Sequence, residues 1–169
     1  MHDSRPFIPE LFSQPGNLLY IGARIDAHSW LEELYFAHNK ITVLEVWPFN
    51  IKSLEDDYMI TKLVEGDVRN VADIFPDTKF DYIFWWHGPE HLPQEQIEPL
   101  LHILESKCKM IALACPYGVY VQGAHAGNPY EVHSSTLYPE FFDRLGYLVT
   151  TDGLPNEVGS EIVAWKSMQ

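Results

Sequence analysis

The chain has 169 residues, 46% of them hydrophobic, which is enough apolar content for one domain with a single core. Its formal net charge of −13 comes from 11 basic and 24 acidic side chains, and such a field repels phosphate backbones. No apolar run approaches the roughly 18 residues that a membrane helix requires, and no secretory leader precedes residue 17. Cys108 and Cys115 are interpreted as buried thiols of a reducing compartment. We therefore expect a cytoplasmic protein that acts on a small molecule, with no nucleic-acid partner and no membrane association.

Residues 1–16 favour an irregular N-terminal arm. Pro6, Pro9 and Pro15 fall within this stretch, and proline interrupts helices because it lacks an N–H and clashes with the preceding turn. Residues 17–169 are expected to form a single domain, because the sequence shows no internal repeat and no low-complexity tract.

Residues 17–48 have the pattern of a βαβ unit. An apolar run at 17–23 ends in a small turn that contains Gly22, Asp26 can cap the helix that follows, and a second apolar run ends near Glu45. Such a unit brings a helix N-terminus close to an acid, and the ribose hydroxyls of a nucleotide need an acceptor of that kind. Glu45 follows Gly22 by 23 residues (45 − 22), close to the spacing of about 20 expected for a ribose-binding acid. The alternative is that Glu45 only ends a strand and faces water.

Strands and helices continue to alternate after this unit. Pro48 ends the second strand, a short helix is expected at 53–59, and Pro116 stops the fifth strand. The helix that begins near Pro93 has apolar residues that return to one face every three or four positions. The expected later strands are 60–65, 80–86, 110–114, 147–151 and 161–166, with a helix at 136–145 before the last two, which form an antiparallel hairpin.

This order of elements resembles the class I S-adenosylmethionine-dependent methyltransferases. In that family five strands alternate with helices, and a further helix and a β-hairpin complete the sheet. The resemblance covers nearly all of residues 17–166. It implies a doubly wound, Rossmann-like α/β fold of three layers, with seven strands ordered 3-2-1-4-5-7-6 and strand 7 antiparallel. It also implies S-adenosylmethionine as the cofactor and methyl transfer to a small-molecule acceptor as the activity.

The binding motifs of that family match this chain one at a time. An acid at the end of strand two, matching Glu45, implies a contact with the ribose of the cofactor, and the apolar residues after it would lie near the adenine. The Gly-Asp pair that ends strand three, matching Asp67, implies a contact with the adenine amine. The predicted cofactor-binding residues are Gly22, Ala23, Arg24, Glu45, Val46, Trp47, Asp67, Val68 and Trp86.

The turn after the first strand departs from the family pattern. The family has three glycines there, which let the backbone approach the methionine end of the cofactor, and only Gly22 is present in this chain. Arg24 and Asp26 stand in place of the other two. Asp26 would repel the carboxylate of the cofactor, whereas Arg24 could pair with it.

Histidines close to the end of strand four are the candidates for acid–base chemistry. Methyl transfer to an oxygen acceptor requires removal of a proton, and a histidine with a pKa near neutrality is the usual base. We predict His87 and His91 as catalytic residues, with His125 and His133 as further candidates. The alternative for each is an ordinary polar loop residue.

We predict no metal site at these histidines. His87 and His91, with Glu90 beside them, have the i, i+4 spacing of a zinc-binding pair, but that motif needs a helix to align the two rings. Gly88 and Pro89 interrupt any helix at this point.

Residues 117–133 have no periodicity, and a loop of this length inside a compact domain is usually functional. The loop resembles the acceptor-facing segment of small-molecule methyltransferases, and its aromatic and amide groups suit a polar, glycosyl acceptor. Because only 16 residues precede the first strand, this loop or a second subunit of a homo-oligomer is expected to shield the cofactor.

Two other functions remain open. The missing glycines favour a non-catalytic descendant that serves as a binding or assembly module. A nicotinamide-dependent oxidoreductase also explains Glu45, but it needs the three-glycine fingerprint and leaves the terminal hairpin unexplained. The methyltransferase hypothesis fails if Glu45 turns away from the carboxyl edge of the sheet, or if Tyr20, Arg24 or Asp26 fills the place of the cofactor.

Overall fold

The computed structural model describes residues 8–24, 28–38 and 40–168. The helices in these ranges are α1 (Pro9–Ser13), α2 (His28–Ala37), α3 (Pro48–Leu54), α4 (Val71–Ile74), α5 (Gln94–Glu105) and α6 (Pro139–Asp143), and short 3-10 helices span Val68–Asn70, Pro89–His91 and Pro129–Glu131. The strands are β1 (Asn17–Ile21), β2 (Lys40–Glu45), β3 (Lys62–Glu65), β4 (Tyr82–Trp86), β5 (Met110–Pro116), β6 (Leu148–Asp152) and β7 (Glu161–Ser167). Across these ranges, no helix combines the length and the apolar character needed to cross a bilayer.

The strands of the described ranges form one seven-stranded sheet in the order β3-β2-β1-β4-β5-β7-β6. The pairs from β3 to β5 are parallel, and β7 is antiparallel to both of its neighbours. The predicted strand order and the predicted antiparallel strand are therefore confirmed. The buried parallel strands are almost wholly apolar because both of their faces are covered.

Helices cover both faces of the sheet and give it three layers. Leu19 and Ile21 of β1 pack on one face with residues of α4, α5 and α6, while Leu18 and Tyr20 pack on the other face with residues of α1 and α2. This alternation follows from the two-residue period of a strand. The stripe of α5 that the sequence predicted is buried against the sheet.

Three helices begin at a proline where the sequence analysis predicted no helix start. The helix expected at 53–59 is α3, which begins at Pro48, and the helix expected at 136–145 is the shorter α6, which begins at Pro139. The arm that was expected to be irregular contains α1, which begins at Pro9. Proline is favoured in the first helical turn because its missing N–H has no partner there and its φ is already helical. Asp26, the predicted cap of the second helix, lies outside the described residues.

The carboxyl ends of the parallel strands meet at one edge of the sheet. Gly22 follows β1, Glu45 ends β2 and His87 follows β4, so all three lie at this edge. Because β7 runs the opposite way, its first residue, Glu161, pairs with Pro116 at the end of β5 and reaches the same edge. The sheet therefore brings together residues from opposite ends of the sequence.

Candidate functional site

A cavity of about 640 Å³ lies at the carboxyl edge of the sheet. Residues 120–134, which we call the roof segment, contribute much of its wall opposite the strand ends. The predicted site residues that line it are Gly22, Arg24, Glu45, Val46, Asp67, Val68, Trp86, His87 and His91.

Two of the predicted cofactor-binding residues lie outside the lining. Ala23 is fully buried in the core that α1 and α2 cover. The Trp47 ring lies beside Phe49 and Tyr130, with centroid distances of 5.3 and 6.2 Å, and its backbone N–H bonds to Glu45. Trp47 therefore shapes the site through Glu45 rather than as part of the cavity wall.

Glu45 is a buried carboxylate in the wall of the cavity. Its side chain accepts hydrogen bonds at Oε1 from the N–H groups of Val46, at 3.0 Å, and Trp47, at 2.7 Å. Burial raises the pKa of Glu45 to about 7, against the effect of those hydrogen bonds, and the negative charge of Glu131 adds to the rise. The Glu45 carboxylate thus lies at the carboxyl edge of the sheet, where the sequence analysis predicted a ribose-binding group.

Gly22 forms the bend by which the chain leaves β1. Its φ is +73°, a left-handed conformation that favours glycine, and its N–H donates to the carbonyl of Leu44 at 2.9 Å. A Cβ built on Gly22 meets no atom within 4 Å, so the open space of the cavity begins directly at this backbone. A ligand can therefore approach the main chain closely here.

Arg24 lies in the wall of the cavity and does not close it. Its Nη1 donates to Oε2 of Glu131 at 2.7 Å, which ties the turn after β1 to the 3-10 helix Pro129–Glu131. Asn128 caps that short helix by accepting a hydrogen bond from the N–H of Tyr130 at 2.9 Å. Arg24 therefore pairs with a carboxylate of the protein, where the sequence analysis had expected it to pair with a carboxylate of the cofactor.

Asp67 caps the 3-10 helix Val68–Asn70. It accepts the N–H of Arg69 at 2.9 Å and also pairs with the guanidinium group of that residue. Partial burial alone would raise the pKa of Asp67, but the hydrogen bonds from Arg69 outweigh it and lower the pKa. Asp67 is thus an ionised acceptor at the end of the cavity where β3 terminates.

His87 is held between two buried carboxylates. Its Nδ1 lies 3.3 Å from Oε1 of Glu90, and its Nε2 lies 2.8 Å from Oε1 of Glu161. Burial alone lowers the pKa of His87, but the hydrogen bonds to Glu161 and Glu90 outweigh it and raise the pKa to about 10. With a carboxylate at each nitrogen, the ring is a doubly protonated imidazolium with no lone pair to accept a proton. This geometry favours a fixed cation over the predicted base.

His91 and His133 face each other in the same wall, with ring centroids 5.0 Å apart. Nδ1 of His133 lies 2.7 Å from the carbonyl oxygen of Tyr120, and Nδ1 of His91 lies 3.4 Å from that of Val132. Burial lowers the pKa of His133. His125, the remaining candidate, is not part of the cavity wall.

Of the buried acids in the cavity wall, the sequence analysis assigned a binding role only to Glu45. Among the described residues, four buried glutamates line the cavity, namely Glu45, Glu90, Glu131 and Glu161. Glu161 could have been found from its position, because the first residue of an antiparallel strand lies level with the last residues of its parallel neighbours. The sequence gives no comparable indication of the path of the roof segment, so the position of Glu131 in the wall could not be predicted.

Two indole groups also line the cavity. Trp30 and Trp86 are buried, their ring centroids are 5.1 Å apart, and neither Nε1–H has a hydrogen-bond partner within the described ranges. A buried donor without a partner is uncommon in a folded protein.

The sequence matches no protein-family model and no curated protein. Solved structures match it over nearly its whole length. A SAM-dependent methyltransferase from Archaeoglobus fulgidus is 18% identical with a TM-score of 0.65, and the match covers 96% of this chain and 91% of that one. The N-terminal domain of EvdMO1, solved with S-adenosylhomocysteine (SAH) and D-fucose, is 16% identical with a TM-score of 0.70, covering 98% and 81%. The N-methyltransferase NodS from Bradyrhizobium japonicum, in complex with SAH, is 13% identical with a TM-score of 0.67, covering 95% and 83%.

These identities are low, whereas the structural agreement spans 95–98% of this chain and 81–91% of the other three. The strand order and the antiparallel β7 agree with the resemblance found in the sequence. The chain therefore has the fold of the class I S-adenosylmethionine-dependent methyltransferases.

Proposed function

We propose that the protein transfers a methyl group from S-adenosylmethionine to a small polar acceptor. The observation that carries this proposal is the position of Glu45, which is 3% exposed, lines the cavity and ends β2 next to the turn at Gly22. In this fold, an acid at that point is suited to accept hydrogen bonds from ribose hydroxyls.

The residues around the cavity fit such a cofactor. The backbone at Gly22 opens directly onto free space, so a cofactor can approach the main chain closely there. The indole rings of Trp30 and Trp86 add apolar surface to the wall. Asp67, at the end of the next strand, offers an ionised acceptor for the adenine amine. Glu45 would therefore hold the ribose of the cofactor, and Asp67 would hold its adenine.

When bound, S-adenosylmethionine supplies an electrophilic methyl group on a positively charged sulfur. The contribution of the protein is to hold the acceptor in line with that group and to exclude water. The buried acids of the wall suit a positive charge in the cavity, and the imidazolium of His87 fixes Glu90 and Glu161 in place. His91 stays the predicted proton acceptor.

The dimensions and lining of the cavity favour a small acceptor. Its volume of about 640 Å³ falls within the roughly 300–1,000 Å³ of small-molecule sites. The roof segment adds Gln122, Asn128 and Ser134, whose amide and hydroxyl groups suit the hydroxyls of a sugar. One structural neighbour was solved in the presence of D-fucose, which also supports a glycosyl acceptor.

Isothermal titration with SAH tests this proposal. We expect binding by the wild type, and at least about tenfold weaker binding by Glu45→Gln, because the variant loses charge-assisted hydrogen bonds to the ribose. Gly22→Ala should also weaken binding, since the new methyl group enters the space next to the backbone.

Each variant has a matched control. Glu65→Gln removes an exposed acid that lies beside Glu45 on β3 but outside the cavity wall. Gly127→Ala carries the same strain as Gly22→Ala, because Gly127 has a φ of +81° and open space around its Cβ, yet it does not line the cavity. Both controls should bind SAH like the wild type. An absence of SAH binding at millimolar concentration by the folded wild type contradicts the proposal.

The ion pair between Arg24 and Glu131 favours a second candidate function. It crosses the turn where the related enzymes have glycines, and it suits a module that binds a ligand without turning it over. One assay distinguishes the methyltransferase from the non-catalytic module. The protein is incubated with S-adenosylmethionine and pooled small sugars and amines, and the released SAH is measured. Release above that of Glu45→Gln excludes the non-catalytic module.

A further inference from the structure

Two histidines and a buried glutamate meet in one wall of the cavity. Glu90, His91 and His133 each place one ligand atom within 4.8 Å of the others. Glu90 and His91 lie on the 3-10 helix Pro89–His91, and His133 comes from the roof segment. We propose that these three side chains bind a divalent transition-metal ion, with Zn²⁺ as its representative.

The two rings are oriented as metal ligands. Nδ1 of His133 lies 2.7 Å from one backbone carbonyl oxygen, and Nδ1 of His91 lies 3.4 Å from another. A carbonyl only accepts, so each Nδ1 carries the proton and each Nε2 keeps its lone pair. Metal-binding histidines almost always donate their other N–H to a carbonyl or a carboxylate in this way.

The glutamate has an oxygen that lacks a partner. The Glu90 side chain is 3% exposed, and its Oε1 lies 3.3 Å from Nδ1 of His87 and 4.0 Å from Nε2 of His91. Its Oε2 has no hydrogen-bond partner in the part of the chain that the structure describes. A buried carboxylate that lacks a donor at one oxygen is incompletely satisfied, and a cation bound to this carboxylate would compensate its charge.

The backbone holds the three ligands together. The N–H groups of Ser134 and Ser135 both donate to the carbonyl of Glu90, at 2.8 and 3.1 Å, so the roof segment is tied to the 3-10 helix next to His133. A tetrahedral ion with ligands about 2.1 Å away keeps those ligands roughly 3.4 Å apart, so closing the site requires side-chain movements of about 1 Å. Rotation of the side chains suffices for movements of that size.

The donor set selects the class of ion. Imidazole nitrogens suit zinc and its neighbours in the first transition row, whereas Mg²⁺ and Ca²⁺ prefer oxygen ligands alone. Two histidines and one glutamate leave a coordination position open, as in catalytic zinc sites. Sequence spacing could not reveal this set, because His133 is distant from Glu90 and His91 in the chain and no helix aligns the three.

The open position has a consequence that rests on the proposed function. All three ligands line the cavity, so an oxygen atom of the acceptor can complete the coordination of the ion. A hydroxyl bound there would have a lowered pKa, because the ion would stabilise the alkoxide; its proton would pass to water, and the alkoxide oxygen would then bond to the methyl carbon as the bond from that carbon to sulfur breaks. The ion then replaces His91 as the group that activates the acceptor, since metal binding occupies Nε2 of that ring.

Calorimetric titration of Zn²⁺ into the full chain, stripped of metal with EDTA and dialysed, tests the site without any S-adenosyl compound. We expect one strong site per chain. His91→Gln and His133→Gln should each lower its affinity by at least about tenfold, because the loss of a residue that only supports a metal ligand already costs that much. His125→Gln, a change in the same roof segment outside the cavity, should bind Zn²⁺ like the wild type.

Co²⁺ provides a spectroscopic readout that a structural role of the histidines would not give. Its visible absorption should show a low-symmetry, four- or five-coordinate site in the wild type and should be lost in His91→Gln and in His133→Gln. Equal Zn²⁺ affinity in the wild type and in both folded variants overturns the site. Loss of affinity in only one folded variant overturns the three-ligand set.

Acetohydroxamate probes the open position. We expect this oxygen chelator to change the Co²⁺ spectrum of the wild type, and an unchanged spectrum overturns the acceptor-binding role. The SAH titration tests the proposed function, and the Zn²⁺ titration tests the metal site. The two can fail independently, because Glu45→Gln changes none of the three metal ligands.

Discussion

At the scale of single residues, Glu45 is an acid that the fold keeps from water. Its pKa is raised from 4.5 to about 7, chiefly by burial. A hydrogen bond from Asn50 lowers this pKa, and the negative charge of Glu131, which is itself paired with Arg24, raises it. Ionised Glu45 therefore costs folding free energy, up to about 3 kcal/mol for a shift of this size. A group that binds a ligand is often placed at such a cost to stability.

Glu45→Gln should stabilise the ligand-free protein above neutral pH. Between the unfolded and folded pKa values the folded state binds more protons than the unfolded state, so the contribution of Glu45 to stability falls as pH rises. We expect the variant to gain about 1–3 kcal/mol at pH 8. At pH 5 the gain should be smaller, below about 1 kcal/mol, because folded Glu45 is protonated there while the carboxyl of the unfolded chain is already partly ionised. Urea unfolding at the two pH values measures the difference.

Glu65→Gln is the control for this experiment, because Glu65 is exposed and lies beside Glu45 in the sheet. Its effect should be small and equal at both pH values. A gain for Glu45→Gln that does not change with pH would mean that Glu45 is not the group whose titration is being observed.

At the scale of elements, the short 3-10 helix Pro89–His91 depends on the residue before it. A Cβ on Gly88 would lie 1.8 Å from Nε1 of Trp85, so the indole of β4 packs directly on this glycine. Because this helix carries Glu90 and His91, the close contact also positions that wall of the cavity.

Gly88→Ala should destabilise the protein by about 2–3 kcal/mol, because the methyl group overpacks a well-filled site. Chemical unfolding followed by tryptophan fluorescence measures this loss, and a changed near-ultraviolet circular dichroism spectrum should report the displaced Trp85. Gly123→Ala is the control, since a Cβ there meets nothing within 4 Å and Gly123 does not have a positive φ. If the two substitutions cost the same, the contact with Trp85 does not constrain the helix.

The strands and the positions at their ends could be predicted from the sequence, whereas some helix starts could not. The strands themselves followed from apolar runs, because buried parallel strands carry their signal locally. Their order in the sheet followed from the family resemblance. The predicted helix starts differ from the observed ones at two prolines. Pro48 ends a strand in the prediction but begins α3 in the structure, and the helix predicted from residue 136 begins only at Pro139. Gly22 and Glu45 were placed correctly at the strand ends, since that position is a local property.

The remaining site residues could not be predicted in the same way. The partners of Arg24 and His87 come from distant segments, Glu131 and Glu161, and only the folded chain brings them together. The roof segment has no periodicity, so the sequence could not show which of its side chains face the cavity. His133 was a candidate on its residue type alone, and its pairing with His91 emerged only from the three-dimensional path of the chain.

At the scale of the whole molecule, the net charge of −13 acts on the stability of the fold. Excess charge of one sign destabilises a compact state through self-repulsion. The screening length falls from about 30 Å at 0.01 M salt to about 8 Å at 0.15 M, so repulsion across the molecule is largely removed in between.

The melting temperature should therefore rise by a few degrees between 10 and 150 mM NaCl at pH 8. Differential scanning calorimetry measures it, and sucrose at equal osmolality serves as the uncharged comparison. A melting temperature that falls as NaCl is added would show that attractive ion pairs, such as that of Lys166 and Glu105, outweigh the repulsion.

The antiparallel direction of β7 has a consequence for how the protein is made. The cavity wall includes Gly22, which follows the first strand, and Glu161, which begins the last strand. The wall is therefore complete only when β7 is in place. On the ribosome, the early strands emerge long before the residue that neutralises His87 from the far side. We therefore expect that a nascent chain without the final hairpin does not bind the ligand. The protein would then bind its substrate only after synthesis of the last strand.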